Sequence, residues 1–218
     1  AVSKINHDLR NILSSAQLLS DMMTKSEDPK VQRLAPKLVS SIDRAIDLAT
    51  STLKHGKAEE TPPQATNFEL APLVDEVIDH LGVNGADKIQ WQIDLGPGHE
   101  VYVDREHMFR ILMNLLRNAV QAVCDNPNDR EKTIAVSCTH FGEQYVSIDI
   151  EDAGPGIPKD VQEHLFEAFA AGQRSDSVGL GLSIAKELAD ANRCDLQLVC
   201  STPEGTHFRI LVPVPKGG

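Results

Sequence analysis

The 218-residue chain lacks any apolar run that approaches the length of a membrane-spanning helix, and no signal-peptide pattern opens it. Positive charge is also scarce: 21 lysine and arginine residues stand against 32 acidic ones, for a net charge of −11. This balance argues against nucleic acid or an anionic membrane as a main partner. Because the chain begins inside a predicted helix, we interpret it as a cytoplasmic fragment, without membrane contact of its own, of a protein that could carry sensory or membrane segments.

Cysteine is the next scarce residue, with four in the chain. None of the four has the close partner spacing that a metal site needs. Cys194 and Cys200 fall where strands are expected, so buried free thiols are favoured over disulfides. A reducing cytoplasm fits this pattern.

The chain contains two regions that differ in the periodicity of their apolar residues. Residues 1–58 follow a helical period with a break at Ser26–Pro29, which predicts two helices in an antiparallel hairpin. The first seam consists of Ile5, Leu9, Ile12, Ala16, Leu19 and Met23. A hairpin this small leaves half of its apolar surface uncovered, so we expect a homodimer in which two copies form a four-helix bundle.

Residues 59–66 are rich in proline and glutamate and read as a linker, and residues 67–218 mix strands with helices. Strands are predicted at 89–95, 134–139, 145–150, 196–200 and 206–212, and helices at 71–81, 104–125 and 179–192. Turns at 141–143 and 202–205 predict antiparallel hairpins. The expected fold class is therefore α+β, a helical hairpin followed by an α/β sandwich.

The predicted helix 104–125 carries one polar stripe among apolar neighbours. Arg110, Asn114, Asn118 and Gln121 recur at spacings of four, four and three, which places them on one side. These groups either hydrogen-bond to nearby backbone or bind a ligand, with a carboxamide oxygen on Mg²⁺ and nucleotide phosphates supplying the negative charge. The stripe alone leaves both interpretations open.

Two glycine motifs follow. Asp152 closes an apolar strand and precedes Gly154 and Gly156; such a carboxylate suits the exocyclic amine of adenine, and glycines let backbone approach the ring. Gly179 and Gly181 open a helix whose N-terminus suits phosphate. A strand-ending turn and ordinary helix packing are the plain alternatives. Between the motifs, residues 166–178 have the composition of a mobile lid, with Arg174 as its cation.

These blocks, in this order and at these separations, resemble the catalytic ATP-binding domain of the two-component sensor histidine kinases, which has the Bergerat or GHKL fold. The family's N, G1, F and G2 boxes match residues 114–119, 152–157, 166–169 and 179–182. The hairpin resembles the family's dimerisation and histidine-phosphotransfer domain, with His7–Asn11 as its H box. The resemblance spans nearly the whole chain.

The resemblance implies that ATP and Mg²⁺ bind in the C-terminal domain, with Asn118 as the Mg²⁺ ligand and Asp152 reading adenine. The other implied ATP-binding residues are Asn114, Gln121, Gly154, Gly156, Arg174, Gly179, Gly181 and Leu182. Three positions depart from the family's usual residues. Gln121 stands where lysine is common, Ala122 where an aromatic is common, and Ser177 in place of a glycine.

The resemblance also implies the chemistry of the hairpin. His7 takes the γ-phosphoryl group of ATP and passes it to an aspartate on a response-regulator receiver domain. Asp8 acts as base or orienter, and Asn11 positions water in a phosphatase reaction that reverses the signal. The alternatives are a phosphotransfer scaffold with weakened ATP binding and a GHKL ATPase of the chaperone or topoisomerase type.

Overall fold

A computed structural model of the chain describes residues 62–82, 89–96, 100–126, 131–142, 144–167 and 181–214. All of them fall in one compact unit. The predicted hairpin of residues 1–58 and the predicted dimer interface of residues 1–57 lie outside this part of the chain. Within the described ranges, no helix has both the length and the apolar character that spanning a membrane requires.

The architecture is an α/β sandwich built on two sheets. Its strands are β1 (Ala65–Glu69), β2 (Gln90–Asp94), β3 (Glu100–Asp104), β4 (Thr133–Phe141), β5 (Tyr145–Asp152), β6 (Asp195–Thr202) and β7 (Gly205–Pro213). The main sheet has the order β2-β4-β5-β7-β6, in which β2 and β4 are parallel and the other pairs antiparallel. β1 and β3 form a separate antiparallel pair.

The described residues of the unit also form four helices: α1 (Leu70–Leu81), α2 (Arg105–Cys124), the short α3 (Lys159–Gln162) and α4 (Gly181–Ala191). The long helix α2 begins at a side-chain cap, because Asp104 Oδ1 accepts from the His107 N–H at 3.1 Å. The second carboxylate oxygen of Asp104, Oδ2, accepts from the Gln64 N–H at 2.8 Å. Burial alone would raise the pKa of Asp104, but these N–H donors outweigh it and lower the pKa. The cap thus ties the segment before β1 to the start of α2.

The core follows the apolar periods of the sequence. α2 buries its leucines and isoleucine at 111, 112, 115 and 116, and α4 buries Ile184 and Leu188. In β5 the residues Val146, Ile148 and Ile150 are buried on one sheet face. Burial of such side chains contributes roughly 1.5–3 kcal/mol each, so α2 is the main apolar support of the unit.

The opposite face of the central strands holds a buried polar cluster. Asp149 is 6% exposed and accepts from Ser147 Oγ at 2.5 Å, from His207 Nε2 at 2.6 Å and from Arg209 Nε at 2.7 Å. Burial would raise the pKa of Asp149, but these hydrogen bonds and the Arg209 charge lower it. The cluster links β5 to β7 through side chains as well as through the strand ladder.

The sandwich and its eight predicted elements are confirmed, with ends within a few residues. The strands β1 and β3 were missed, and Ala65 and Thr66 of the predicted linker lie in β1. The expectation of buried thiols at Cys194 and Cys200 is half wrong: Cys194 is buried, whereas Cys200 is exposed. Cys200 lies on the edge strand β6, beside a register irregularity between Leu198 and Cys200.

Candidate nucleotide-binding site

The polar stripe of α2 is half-buried along its length, between fully buried apolar neighbours. Asn114 Nδ2 donates to the Arg110 carbonyl oxygen at 2.9 Å, so backbone bonding accounts for that amide. Asn118 and Gln121 are different, since neither side chain hydrogen-bonds to another residue of the described ranges. The stripe therefore offers carboxamides at Asn118 and Gln121 that no other described residue uses.

At Asn114, α2 also packs against the start of α4. A Cβ placed on Gly181 would lie 3.1 Å from Asn114 Oδ1, which is tighter than an ordinary contact. Glycine at this position thus lets the first turn of α4 approach the polar stripe. Leu182 follows in the same turn and is half-buried. Two of the predicted motifs are brought together here by close packing.

Asp152 ends β5 with its carboxylate turned back onto backbone donors. Asp152 Oδ1 accepts from the Gly154 N–H at 2.8 Å, and the Thr206 N–H also bonds to the carboxylate. Burial nevertheless raises the pKa of Asp152 to about 6, because the two N–H groups offset only part of the cost of burying the charge. A carboxylate in this condition gains from a ligand that brings a further N–H donor.

The loop after Asp152, residues 153–157, is here called the glycine loop. A Cβ on Gly154 would lie 2.6 Å from Asp152 Oδ1 and 2.8 Å from Ala122 Cβ on α2. Gly156 has a φ of +76°, and a Cβ there would lie 2.1 Å from the Thr202 carbonyl oxygen. Both glycines are therefore required by close approach, the first to α2 and the second to the β6–β7 hairpin.

Three side chains from other elements hold the two ends of the glycine loop. Asn126 Nδ2 donates to the Ala153 carbonyl oxygen at 3.2 Å. At the other end, Ser201 Oγ accepts from the Ile157 N–H at 2.7 Å, and Gln162 Nε2 donates to the Ile157 carbonyl oxygen at 2.7 Å. The loop is thus fixed from the segment just after α2, from β6 and from α3.

The predicted site residues divide into two groups. Asn114, Asn118, Gln121, Asp152, Gly154, Gly156, Gly181 and Leu182 lie in the described unit, on α2, at the end of β5, in the glycine loop and at the start of α4. The others, namely His7, Asp8, Asn11, Arg174 and Gly179, lie outside the described residues. So does most of the predicted lid.

Sequence reasoning missed the residues that support the site from a distance. Thr206 is 5% exposed and sits directly across from Asp152 in the β5–β7 ladder. Gln162 bonds to Ile157 only five residues before it, but nothing local in the sequence marks Thr206, Ser201 or Asn126, because each acts through a partner far away in the chain. The strand register would have been needed to find them.

Residues 103–216 match the family model described as histidine kinase-, DNA gyrase B- and HSP90-like ATPase. The chain belongs to this family. The match confirms the resemblance of the C-terminal domain to the GHKL family, and it does not extend to the predicted hairpin.

The curated relatives of this ATPase-family chain include histidine kinases. The sensory histidine kinase/phosphatase NtrB of Salmonella typhimurium is 28% identical over 99% of this chain and 62% of its own length. The chain thus spans about three fifths of this relative. Among solved structures, the histidine kinase AdeS of Acinetobacter baumannii has a TM-score of 0.65 at 21% identity, covering 96% of this chain and 98% of its own. Full-length ShkA in complex with AMPPNP has a TM-score of 0.68 at 19% identity, covering 100% of this chain and 46% of its own. These two likenesses concern the fold.

Proposed function

We propose that this chain is the kinase core of a sensor histidine kinase, which uses Mg²⁺ and ATP to phosphorylate His7. The observation that carries the proposal is Asp152, a half-buried carboxylate with a pKa of about 6 beside a loop in which Gly154 and Gly156 have no room for a Cβ. Such a site suits a flat ring that offers an N–H donor. The family membership and the AMPPNP complex of ShkA support an adenine nucleotide as that ligand.

Each described residue has a distinct task in binding. Asp152 accepts from the exocyclic amine of adenine, and the glycine loop passes close to the ring. The carboxamide of Asn118, which no other described residue hydrogen-bonds, fits an oxygen ligand for Mg²⁺, with Gln121 one turn further along α2. A bound Mg²⁺ ion supplies charge neutralisation for the phosphates. Gly181 opens α4, whose N-terminus suits the phosphates, and the family resemblance gives Gly179 and Arg174 the same role.

The transfer itself requires the hairpin. An imidazole nitrogen of His7 forms a bond to the γ-phosphorus while the bond from that phosphorus to the bridging oxygen breaks, and ADP leaves. Asp8 holds the reactive tautomer of the imidazole and takes up its proton. The phosphoryl group then passes to an aspartate of a response-regulator receiver domain. Asn11 positions water when the regulator is dephosphorylated, and the pairing of two hairpins makes the kinase a homodimer.

The ATPase alternative is less favoured by the residues on α2. Chaperone and topoisomerase ATPases use a glutamate to activate water at the position of Asn114. Here that position is an amide whose nitrogen already donates to the Arg110 carbonyl oxygen. The single acid in α2 is Glu106, in its first turn. A scaffold without ATP binding is disfavoured because the half-buried Asp152 carboxylate costs stability unless a ligand uses it.

Incubation with γ-labelled ATP and Mg²⁺ separates the three functions. A kinase gives an acid-labile label on the protein, and His7→Ala abolishes this label. The matched variant His140→Ala changes an exposed histidine of β4 and retains the label. Free phosphate release without labelled protein would identify an ATPase. The absence of both the label and nucleotide binding would identify a scaffold.

A further inference from the structure

Ile157, at the end of the glycine loop, has both of its backbone polar groups bonded to side chains. Its N–H donates to Ser201 Oγ and its carbonyl oxygen accepts from Gln162 Nε2, each at 2.7 Å. Backbone groups of an irregular loop usually bond to water or to backbone, so two short side-chain bonds on one residue are a strong local constraint. The constraint acts one residue after Gly156.

Ser201 also connects the glycine loop to the carboxylate that reads adenine. Ser201 lies across from Thr206 in the β6–β7 ladder, and Thr206 lies across from Asp152 in the β5–β7 ladder. The Ser201 and Thr206 hydroxyl oxygens are 3.4 Å apart. A single row across three strands thus contains the loop support, the N–H donor to Asp152 and Asp152 itself.

Close packing leaves no free space into which this row of residues could shift. Gly156 approaches the Thr202 carbonyl so closely that a Cβ would lie 2.1 Å from its oxygen. A displacement of Ser201 or Thr202 is therefore passed directly to Gly156. On the other side, Gln162 holds the same Ile157 residue from α3, so the loop is fixed between β6 and α3.

We propose that Ser201 and Gln162 are positioning residues for the adenine ring, which act through the Ile157 backbone without touching the nucleotide. The inference rests on the proposed function, because it assumes that the glycine loop borders the ring. The two side chains keep Gly154 and Gly156 in the conformation that accepts the base. Their contribution is to affinity for the base, which is the same in the ground state and in the transition state.

The test is Ser201→Ala in the full chain, with direct titration of ADP and AMPPNP and with steady-state autophosphorylation. Loss of one hydrogen bond to the loop should weaken the binding of both nucleotides equally, about threefold to tenfold. KM for ATP should rise by a similar factor with kcat within about twofold, because uniform binding energy is lost. Ser201→Thr, which keeps the hydroxyl, should restore most of the affinity.

Ser147→Ala is the matched control, since it removes a serine hydroxyl from the same sheet at the Asp149 cluster, away from the loop. It should lower the unfolding temperature without changing nucleotide affinity. Gln162→Ala tests the second support independently, should Ser201→Ala fail to fold. The double variant should lose less than the product of the two single losses, because both bonds fix the same residue.

Unchanged ADP affinity in Ser201→Ala, or an equal loss in Ser147→Ala, would overturn the positioning role and leave the proposed function intact. A loss for AMPPNP without a loss for ADP would also overturn it, because it would place the effect at the γ-phosphate. Failure of the unsubstituted protein to bind either nucleotide would overturn the proposed function, and this inference with it.

Discussion

Replacing Asp152 by asparagine separates what this carboxylate does for binding from what it costs the fold. The pKa of Asp152 is about 6, against an ordinary value of 3.8, because burial outweighs the N–H bonds from Gly154 and Thr206. A difference of about 2 in pKa means that the free energy of unfolding is about 3 kcal/mol lower when Asp152 is ionised than when it is protonated. An amide at this position keeps a carbonyl oxygen for the two N–H donors and carries no charge.

The sign follows from proton uptake. The native state holds the Asp152 proton more tightly than the unfolded state, so this group favours folding at low pH, and that contribution is lost as pH rises through about 6. Asp152→Asn does not titrate. The stability of the variant relative to the unsubstituted protein should therefore rise by about 2–3 kcal/mol between pH 4 and pH 8. ADP binding should be lost in the variant at every pH.

Urea unfolding at the two pH values measures the stability difference, with Trp91 of β2 as the reporter because it is the only tryptophan in the chain. Calorimetric titration with ADP measures binding. A stability difference that does not change with pH would refute the reasoning, since it would mean that burial does not perturb this carboxylate. Retained ADP affinity in Asp152→Asn would remove Asp152 from the site.

The same carboxylate predicts the pH dependence of binding in the unsubstituted protein. The ionised carboxylate accepts from an adenine amine much more strongly than the protonated acid does, and with a pKa of about 6 the ionised fraction of Asp152 falls about tenfold between pH 7.5 and pH 5. We therefore expect ADP affinity to fall about tenfold over that range. A flat profile for ADP would show that the proton on Asp152 does not oppose binding.

Two further predictions concern other residues. Gly156→Ala should lower the free energy of unfolding by roughly 3 kcal/mol or more, because its Cβ would meet backbone atoms. Gly142 also has a positive φ but lies in open space, so Gly142→Ala should lower it by only about 1 kcal/mol. Urea unfolding compares the two variants. A thiol reagent at pH 8 should modify Cys200 quickly and leave Cys138 and Cys194 unmodified until the protein unfolds, since burial raises the pKa of both to about 12. Rapid labelling of either buried thiol in the native state would contradict the burial found for it.

Local pattern was sufficient for most of the elements. The apolar period of α2 and the alternation in β4, β5 and β7 are visible in short windows, because helix and strand fix side-chain direction at constant spacings. β3 carries the same alternation in Val101 and Val103 but is only five residues long. A signal that short is easily read as loop, and β1 has no buried residue in its five.

The sequence by itself determined the family resemblance, the polar stripe of α2 and the pairing of Asp152 with a glycine loop, since each is a matter of residue type and short spacing. Only the tertiary structure decided which groups support that loop. Ser201 and Thr206 reach it through strand register, which depends on how distant segments meet, whereas Gln162 reaches it from only five residues further along the chain. The cost of burying Asp152, and hence its pKa of about 6, is likewise a property of what surrounds the carboxylate.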